Sequence, residues 1–233
     1  MTSIPAAAPG AASKPWWLPA LPVLACSMLL AALVASACVA HGAPFRVDEV
    51  LHRWVLDHRP RWAIGLAVAV TVTGSGVPAY LLATLAGAMT VRTRRWRGAL
   101  AGALALVSVQ LPRIALASWL ARPRPSADEW AWSADGYAMP SGHTTTSAAV
   151  AVLLTTGVYR AIRGPARRPL LVLPALWAAA VGVSRVYLGM HWPTDVLAGW
   201  LLTALWAGLL GMFLILLRRP KSGAVPSNEG EGT

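Results

Sequence analysis

Of 233 residues, 56% are hydrophobic, only 12% are charged and twelve are tryptophan. A soluble domain carries roughly twice that charge, so the composition excludes a water-soluble globule and indicates an integral membrane protein. The formal net charge of +11 does not point to nucleic acid, because the basic residues fall in short clusters between apolar runs, as topology signals do. Cys26 and Cys38 both lie in the first apolar run without metal-ligand spacing, so neither a metal site nor a redox cofactor is predicted.

In chain order, residues 1–15 are rich in Ala, Pro and Ser and are predicted to be a disordered tail. Trp16 to Ala40 is apolar, uncharged and long enough to cross a bilayer. Ala35-Ser36-Ala37 resembles a signal-peptide cleavage site, but the run exceeds a usual signal h-region and is predicted to be a retained helix. Val47, Val50, Leu51, Trp54 and Val55 follow helical spacing, with Asp48, Glu49, His52, Arg53 and Asp57 between them, which predicts an amphipathic helix on the membrane surface. A second span covers Ala63 to Met89 and is interrupted by Gly74-Ser75-Gly76-Val77-Pro78, where a kink or close packing is expected.

Arg92, Arg94, Arg95 and Arg97 form a basic turn before a third span, Gly98 to Ala121, which carries Pro112 and Arg113. An arginine within a span is costly unless it meets a polar cavity or snorkels. A polar loop at 122–140 precedes the fourth span, Ser141 to Tyr159, and a second basic turn with Arg160, Arg163, Arg167 and Arg168. The fifth span runs from Pro169 to about Met190, and the sixth from Pro193 to Leu217 before the basic start of a tail at 218–233. The expected fold is all-α: six transmembrane helices in one bundle over residues 16–217, with no repeat and no extramembrane domain. With the N-terminus in the cytoplasm, twelve of the 20 Lys/Arg share that side and seven of the nine acids lie opposite. The positive-inside rule then places both termini in the cytoplasm of a multi-pass cell-membrane protein, with the 122–140 loop and the turn at 188–192 outside.

Two stretches at that outer face carry chemistry. In Pro140-Ser141-Gly142-His143, Ser141 can cap the helix that follows, its first-turn amides attract anions, and His143 can donate a proton nearby. In the stretch from Ser184 to Asp195, Pro193 suits a helix start, so Asp195 lies one turn after His191 and can hold the imidazole's Nδ1–H while Nε2 stays free as a nucleophile. Arg124 and Arg185 at the same face offer planar forks for a tetrahedral oxyanion.

Arg124-Pro125, then Pro140-Ser141-Gly142-His143, then Ser184-Arg185 with His191 and Asp195 at their spacings resemble the three signature motifs of the type 2 phosphatidic acid phosphatases, a superfamily that includes the vanadium haloperoxidases. The resemblance covers about residues 45–217. It implies that His191 attacks phosphorus to give a phosphohistidine, that Asp195 orients it, and that His143 protonates the leaving oxygen. It further implies that Arg124, Arg185, Ser141, Ser184 and the Gly142 N–H hold the phosphoryl oxygens, and that no metal or other cofactor takes part. The family's first motif has a lysine seven residues before its arginine. That position is Ala117 here, or Ala115 if Arg122-Pro123 is aligned instead, and Arg113, one turn before Ala117, is the expected replacement. The expected partners are a lipid phosphate or diphosphate substrate and membrane lipids, and not nucleic acid. The alternatives are a lipid-binding or scaffold protein that has lost turnover, and a vanadate-dependent haloperoxidase, which the apolar composition disfavours.

Overall fold

The polar helix that follows the Pro140-Ser141-Gly142-His143 stretch is the one around which the others pack. In the computed structural model, which describes residues 20–218, the chain forms eight α-helices. They are α1 (Ala20–Val39), α2 (Arg46–Asp57), α3 (Arg61–Thr73), α4 (Gly76–Met89), α5 (Arg95–Leu120), α6 (Gly142–Ala161), α7 (Arg167–Tyr187) and α8 (Pro193–Arg218), with a short 3₁₀ turn at Ala127–Glu129. There is no strand among the described residues. The predicted N-terminal tail, the first residues of the first span and the C-terminal tail after Arg218 lie outside the described residues.

α6 touches α4, α5, α7 and α8. Its first turns carry Thr144, Thr145, Thr146 and Ser147, all buried. Each hydroxyl has a partner: Thr145 Oγ1 donates to Ser141 O (2.9 Å), Thr146 Oγ1 to Gly142 O (2.7 Å) and Ser147 Oγ to Thr144 O (3.2 Å). Hydroxyls satisfied by the preceding turn can lie in a bundle interior without a solvation penalty. α4 and α5 run antiparallel at very short range. A Cβ on Gly102 would come within 2.1 Å of Ala83 O, and one on Gly87 within 2.1 Å of Gly98 O. Small residues of this kind let membrane helices approach backbone to backbone.

Four helices, α1, α5, α7 and α8, are long and apolar enough to cross a membrane, and α3 with α4 qualifies as one span bent by 51°. α6 is not among them, because its N-terminal half, from His143 to Ser147, is polar. The expected interruption at Gly74-Ser75 is therefore a break between two helices. It is also a close contact, since a Cβ on Gly74 would lie 2.4 Å from Val181 Cγ1 on α7. α5 passes through Pro112 as a single helix and stops at Ala121, whose φ is 47°.

α2 is amphipathic as expected, but its faces are turned. Asp48 and His52, read from the sequence as polar-face residues at the membrane surface, are 0% and 3% exposed, while Val47, Val50 and Trp54 are 51%, 51% and 59% exposed. In a membrane the apolar face meets lipid and the polar face can turn into the protein, the reverse of a helix on a soluble core. That inversion brings Asp48 to the ends of α5 and α8.

Candidate active site

The C-terminal end of α5, the 121–141 loop, the N-terminus of α6, the last turn of α7 and the loop before α8 meet around a cavity of about 510 Å³. Arg113, Arg124, Arg185, His143 and His191 line it, together with Ala117, Gly142 and the loop residues Ser133 to Tyr137. Three guanidinium groups and two imidazoles against the carboxylate of Asp135 make this a receptor for an anion.

His191 is 1% exposed and sits between two groups that define its tautomer. Its Nδ1 is 3.4 Å from Asp195 Oδ2, and its Nε2 accepts from Arg124 Nη1 at 2.7 Å. A guanidinium has donors only, so Nε2 carries the lone pair and Nδ1 the proton. Burial first, then the nearby Arg124 and Arg185 charges, hold its pKa well below 6.5, so the imidazole is neutral at pH 7. A neutral ring with its lone pair facing a cationic cavity has the form a nucleophile toward phosphorus needs.

Asp195 is held as firmly as it holds. Its Oδ2 accepts from the Trp192 N–H (2.8 Å), and its Oδ1 accepts from Arg122 Nη1 (2.6 Å). Arg122 is completely buried and donates from Nη2 to Asp48 Oδ2 (2.7 Å) and from Nη1 to Thr194 Oγ1 (2.8 Å). Asp48 also accepts from the Thr194 N–H (2.9 Å), the Thr194 hydroxyl (2.7 Å) and the Phe45 N–H (3.1 Å). One guanidinium thus joins two buried carboxylates from α2 and α8, and the second of these orients His191.

Of the two arginines offered by the alternative alignments of the first motif, Arg124 lines the cavity and Arg122 does not. Besides His191, Arg124 donates to Gly136 O (2.8 Å), Asp135 O (2.7 Å), Tyr137 O (3.1 Å) and Met190 O (2.9 Å), pinning the 135–137 loop over the site. Its partial burial lowers its pKa from the usual guanidinium value, with Asp195 and Asp135 opposing. Arg185 is 2% exposed; its Nη1 donates to Thr71 Oγ1 (3.2 Å), and its Nε is buried with no hydrogen bond among the described residues. An unspent donor at the wall of an anion cavity suits a ligand oxygen, since an unmet buried donor costs about 1–3 kcal/mol.

Arg113 lies against the start of α6: a Cβ on Gly142 would be 3.3 Å from its Nη1. Its orientation is set by a chain of side chains, with Arg113 Nε donating to Gln110 Oε1 (2.8 Å) and Gln110 Nε2 to Thr146 Oγ1 (2.8 Å). His143 Nε2 is 2.8 Å from Ser75 Oγ, in the break between α3 and α4. Two sequence-predicted phosphate contacts are not brought to the cavity. Ser141 is fully buried and its Oγ accepts from Thr144 Oγ1 (3.0 Å), while Ser184 turns its hydroxyl back to Val181 O (2.6 Å) on the far side of α7. Each is occupied by its own helix.

The sequence reading missed Ser75, Gln110, Thr71, Asp48, Arg122 and Thr194 as site-building residues. Of these, Ser75, inside a glycine-rich break, and Arg122, in the alternative Arg122-Pro123 alignment, carried a local signal. Residues 97–214, just over half of the chain, match the family model described as the PAP2 superfamily.

This chain belongs to the PAP2 superfamily. It is 27% identical over 192 residues to phosphatidylglycerophosphatase B of Bacillus subtilis (strain 168), an alignment covering 81% of this chain and 91% of that one. Undecaprenyl-diphosphatase of Sulfolobus acidocaldarius is 34% identical over 97 residues, 41% of this chain and 37% of that protein. Among solved structures, a transmembrane PAP2-type phosphatidylglycerolphosphate phosphatase from Bacillus subtilis matches with a TM-score of 0.72 at 25% identity, covering 86% of this chain and 99% of that chain. The protein is accordingly an all-helical membrane protein of a phosphatase family. His143, His191, Arg124 and Arg185 all fall inside the PAP2 match.

The ion arrangement behind His191 generates a prediction. Removing Arg122 leaves Asp48 and Asp195 buried without a counter-charge, so Arg122→Ala is expected to destabilise the detergent-solubilised protein by about 3–5 kcal/mol. Thermal unfolding read by tryptophan fluorescence checks it. A shift no larger than that of an exposed control such as Arg53→Ala contradicts it.

Proposed function

We propose that this PAP2 protein hydrolyses the phosphomonoester or diphosphate of a membrane lipid through a phosphohistidine intermediate. The observation that carries the reading is the neutral, Asp195-oriented His191 with its Nε2 lone pair facing a cavity walled by Arg113, Arg124 and Arg185. Arg124 Nη1 passes its hydrogen bond from Nε2 to a phosphoryl oxygen; the freed Nε2 lone pair attacks phosphorus while the bond from phosphorus to the leaving oxygen breaks, and His143, held by Ser75, gives that oxygen a proton. A water then loses a proton to His143 and attacks phosphorus, the P–N bond breaks, and phosphate and free His191 are regenerated. Asp195 stabilises the imidazolium character that develops during attack. Phosphoryl transfer is accelerated mainly by positioning and by charge stabilisation at the equatorial oxygens, which the three guanidinium groups and the Gly142 N–H would supply.

The relatives' names support lipid phosphates as the substrate class: a phosphatidylglycerophosphatase and an undecaprenyl-diphosphatase. A cavity at the helix ends suits such substrates, whose head groups sit at the interface while their chains stay in the bilayer. Release of inorganic phosphate from phosphatidylglycerol phosphate, phosphatidic acid and a polyprenyl diphosphate in mixed micelles tests the reading. His191→Ala is expected to abolish release, and Asp195→Asn to lower kcat by up to roughly four orders of magnitude. Full turnover by folded His191→Ala removes the proposal.

Arg113 is proposed to supply the cation that the family's motif places at Ala117, since both line the same cavity. Arg113→Ala is expected to cut phosphate release by about tenfold or more, with little change in unfolding temperature, as loss of a charge-assisted contact to phosphate does. Adding Ala117→Lys is expected to restore part of it. Unchanged kinetics in Arg113→Ala make the residue structural.

We further propose that six segments cross the membrane, α6 being the fourth in chain order, with both termini cytoplasmic and the cavity at the outer face. The clustered arginines support this orientation. In a variant lacking Cys26 and Cys38, a cysteine at Ala127 is expected to react with an impermeant thiol reagent on intact cells, and one at Pro165 is not. The inverse pattern places the cavity in the cytoplasm.

A further inference from the structure

The other end of the bundle holds a second cavity, of about 550 Å³, between the C-terminal ends of α4 and α6 and the N-terminal ends of α5 and α7. Arg92, Arg95, Arg160, Arg163 and Arg167 line it, along with Tyr159. None of the five forms a salt bridge among the described residues. The carboxylates of residues 20–218 lie in α2, in the loop between α5 and α6, and in the first turn of α8, all toward the other end.

A count of arginines would satisfy the positive-inside rule wherever they pointed. Here they converge from different segments on one half-open volume, where five like charges repel and an anion joining them is favoured. Two features fix the charge in place. The Arg167 guanidinium lies 3.8 Å from the Tyr159 ring centroid, a stacked cation, and its Nε is buried with no hydrogen bond among the described residues. The N-termini of α5 and α7 open beside the cavity with no side-chain cap, so first-turn amides and helix dipoles add to the attraction. The flank that α4 contributes is apolar. Leu85, Ala88 and Met89 line the cavity from α4, and Leu85 is exposed.

We propose that this cavity is a second phosphate site, which takes the head group of an anionic phospholipid. The arginine forks bind the phosphate, and the acyl chains leave along α4 past Leu85. Fork-shaped donors match phosphate oxygens in pairs, and basic pockets between transmembrane helices suit such head groups. A soluble phosphate would use the same arginines but would gain nothing from the apolar flank.

Native mass spectrometry of the purified full chain, with phosphatidylglycerol as probe and phosphatidylcholine as control, tests this. The wild-type protein is expected to retain phosphatidylglycerol in preference to phosphatidylcholine. Arg160→Gln/Arg163→Gln, two exposed positions, is expected to weaken that retention by about tenfold or more, whereas Arg124→Gln in the other cavity leaves it intact. Phosphate release from a lipid phosphate substrate in detergent without added phosphatidylglycerol is expected to be unchanged in Arg160→Gln/Arg163→Gln, and the binding readout itself does not depend on turnover. Equal retention by that variant and the wild type overturns the proposal, as does loss of retention in Arg124→Gln instead. Displacement of the lipid by an equal concentration of inorganic phosphate overturns the head-group assignment in favour of a soluble anion.

Discussion

The buried guanidinium of Arg122 is the contact on which the site depends. It sits between Asp48 and Asp195, both 0% exposed, at 2.7 and 2.6 Å, so three ionisable groups share one fully buried cluster. Such a group is costly to assemble, because each ion loses its hydration and only near-ideal geometry offsets that loss. What it provides is placement. Arg122 Nε and Nη2 also donate to Gly42 O and Ala43 O after α1 (3.4 and 3.3 Å), so α1, α2, the end of α5 and the start of α8 are tied to one atom cluster. Asp195 then has no freedom to leave His191, and the imidazole is fixed as a neutral acceptor before any substrate arrives.

The second constraint is the polarity of α6. A helix with Thr144 to Ser147 in its first turns is a poor membrane span by composition, yet four neighbours cover it, the hydroxyls of Thr145, Thr146 and Ser147 donate to carbonyls of the preceding turn, and Thr144 donates to Ser141 Oγ. That arrangement sets a helix N-terminus, with Gly142 and His143, at the floor of the cavity. The absence of a side chain at Gly142 lets Arg113 approach it, and Gln110 and Thr146 set the angle of that approach.

The functional motifs were legible in the sequence because they are local. His191 and Asp195 are one turn apart, Gly142 and His143 open a helix, and apolar runs mark the spans whatever their packing. The supports were not legible, because their partners are remote in sequence: Asp48 lies 74 residues from Arg122, and Ser75 lies 68 residues from His143. Period-3.6 spacing located α2 but could not say which face the bilayer would claim. Asp48 and His52 therefore read as surface residues until the fold turned them inward. Ser141 and Ser184 sit within matching motifs, yet their hydroxyls are directed to their own helices. A motif fixes residue identity and spacing, but not side-chain direction.

The central claim is that His191 Nε2 becomes covalently bound to phosphorus. Rapid acid-free quenching of the enzyme with a ³²P-labelled lipid phosphate, followed by denaturing electrophoresis, measures it directly. The account predicts a protein-bound label that is stable in base, lost in acid, and absent from the His191→Ala variant. A label that survives acid, or one that persists in His191→Ala, would place the covalent step on another residue and contradict the account.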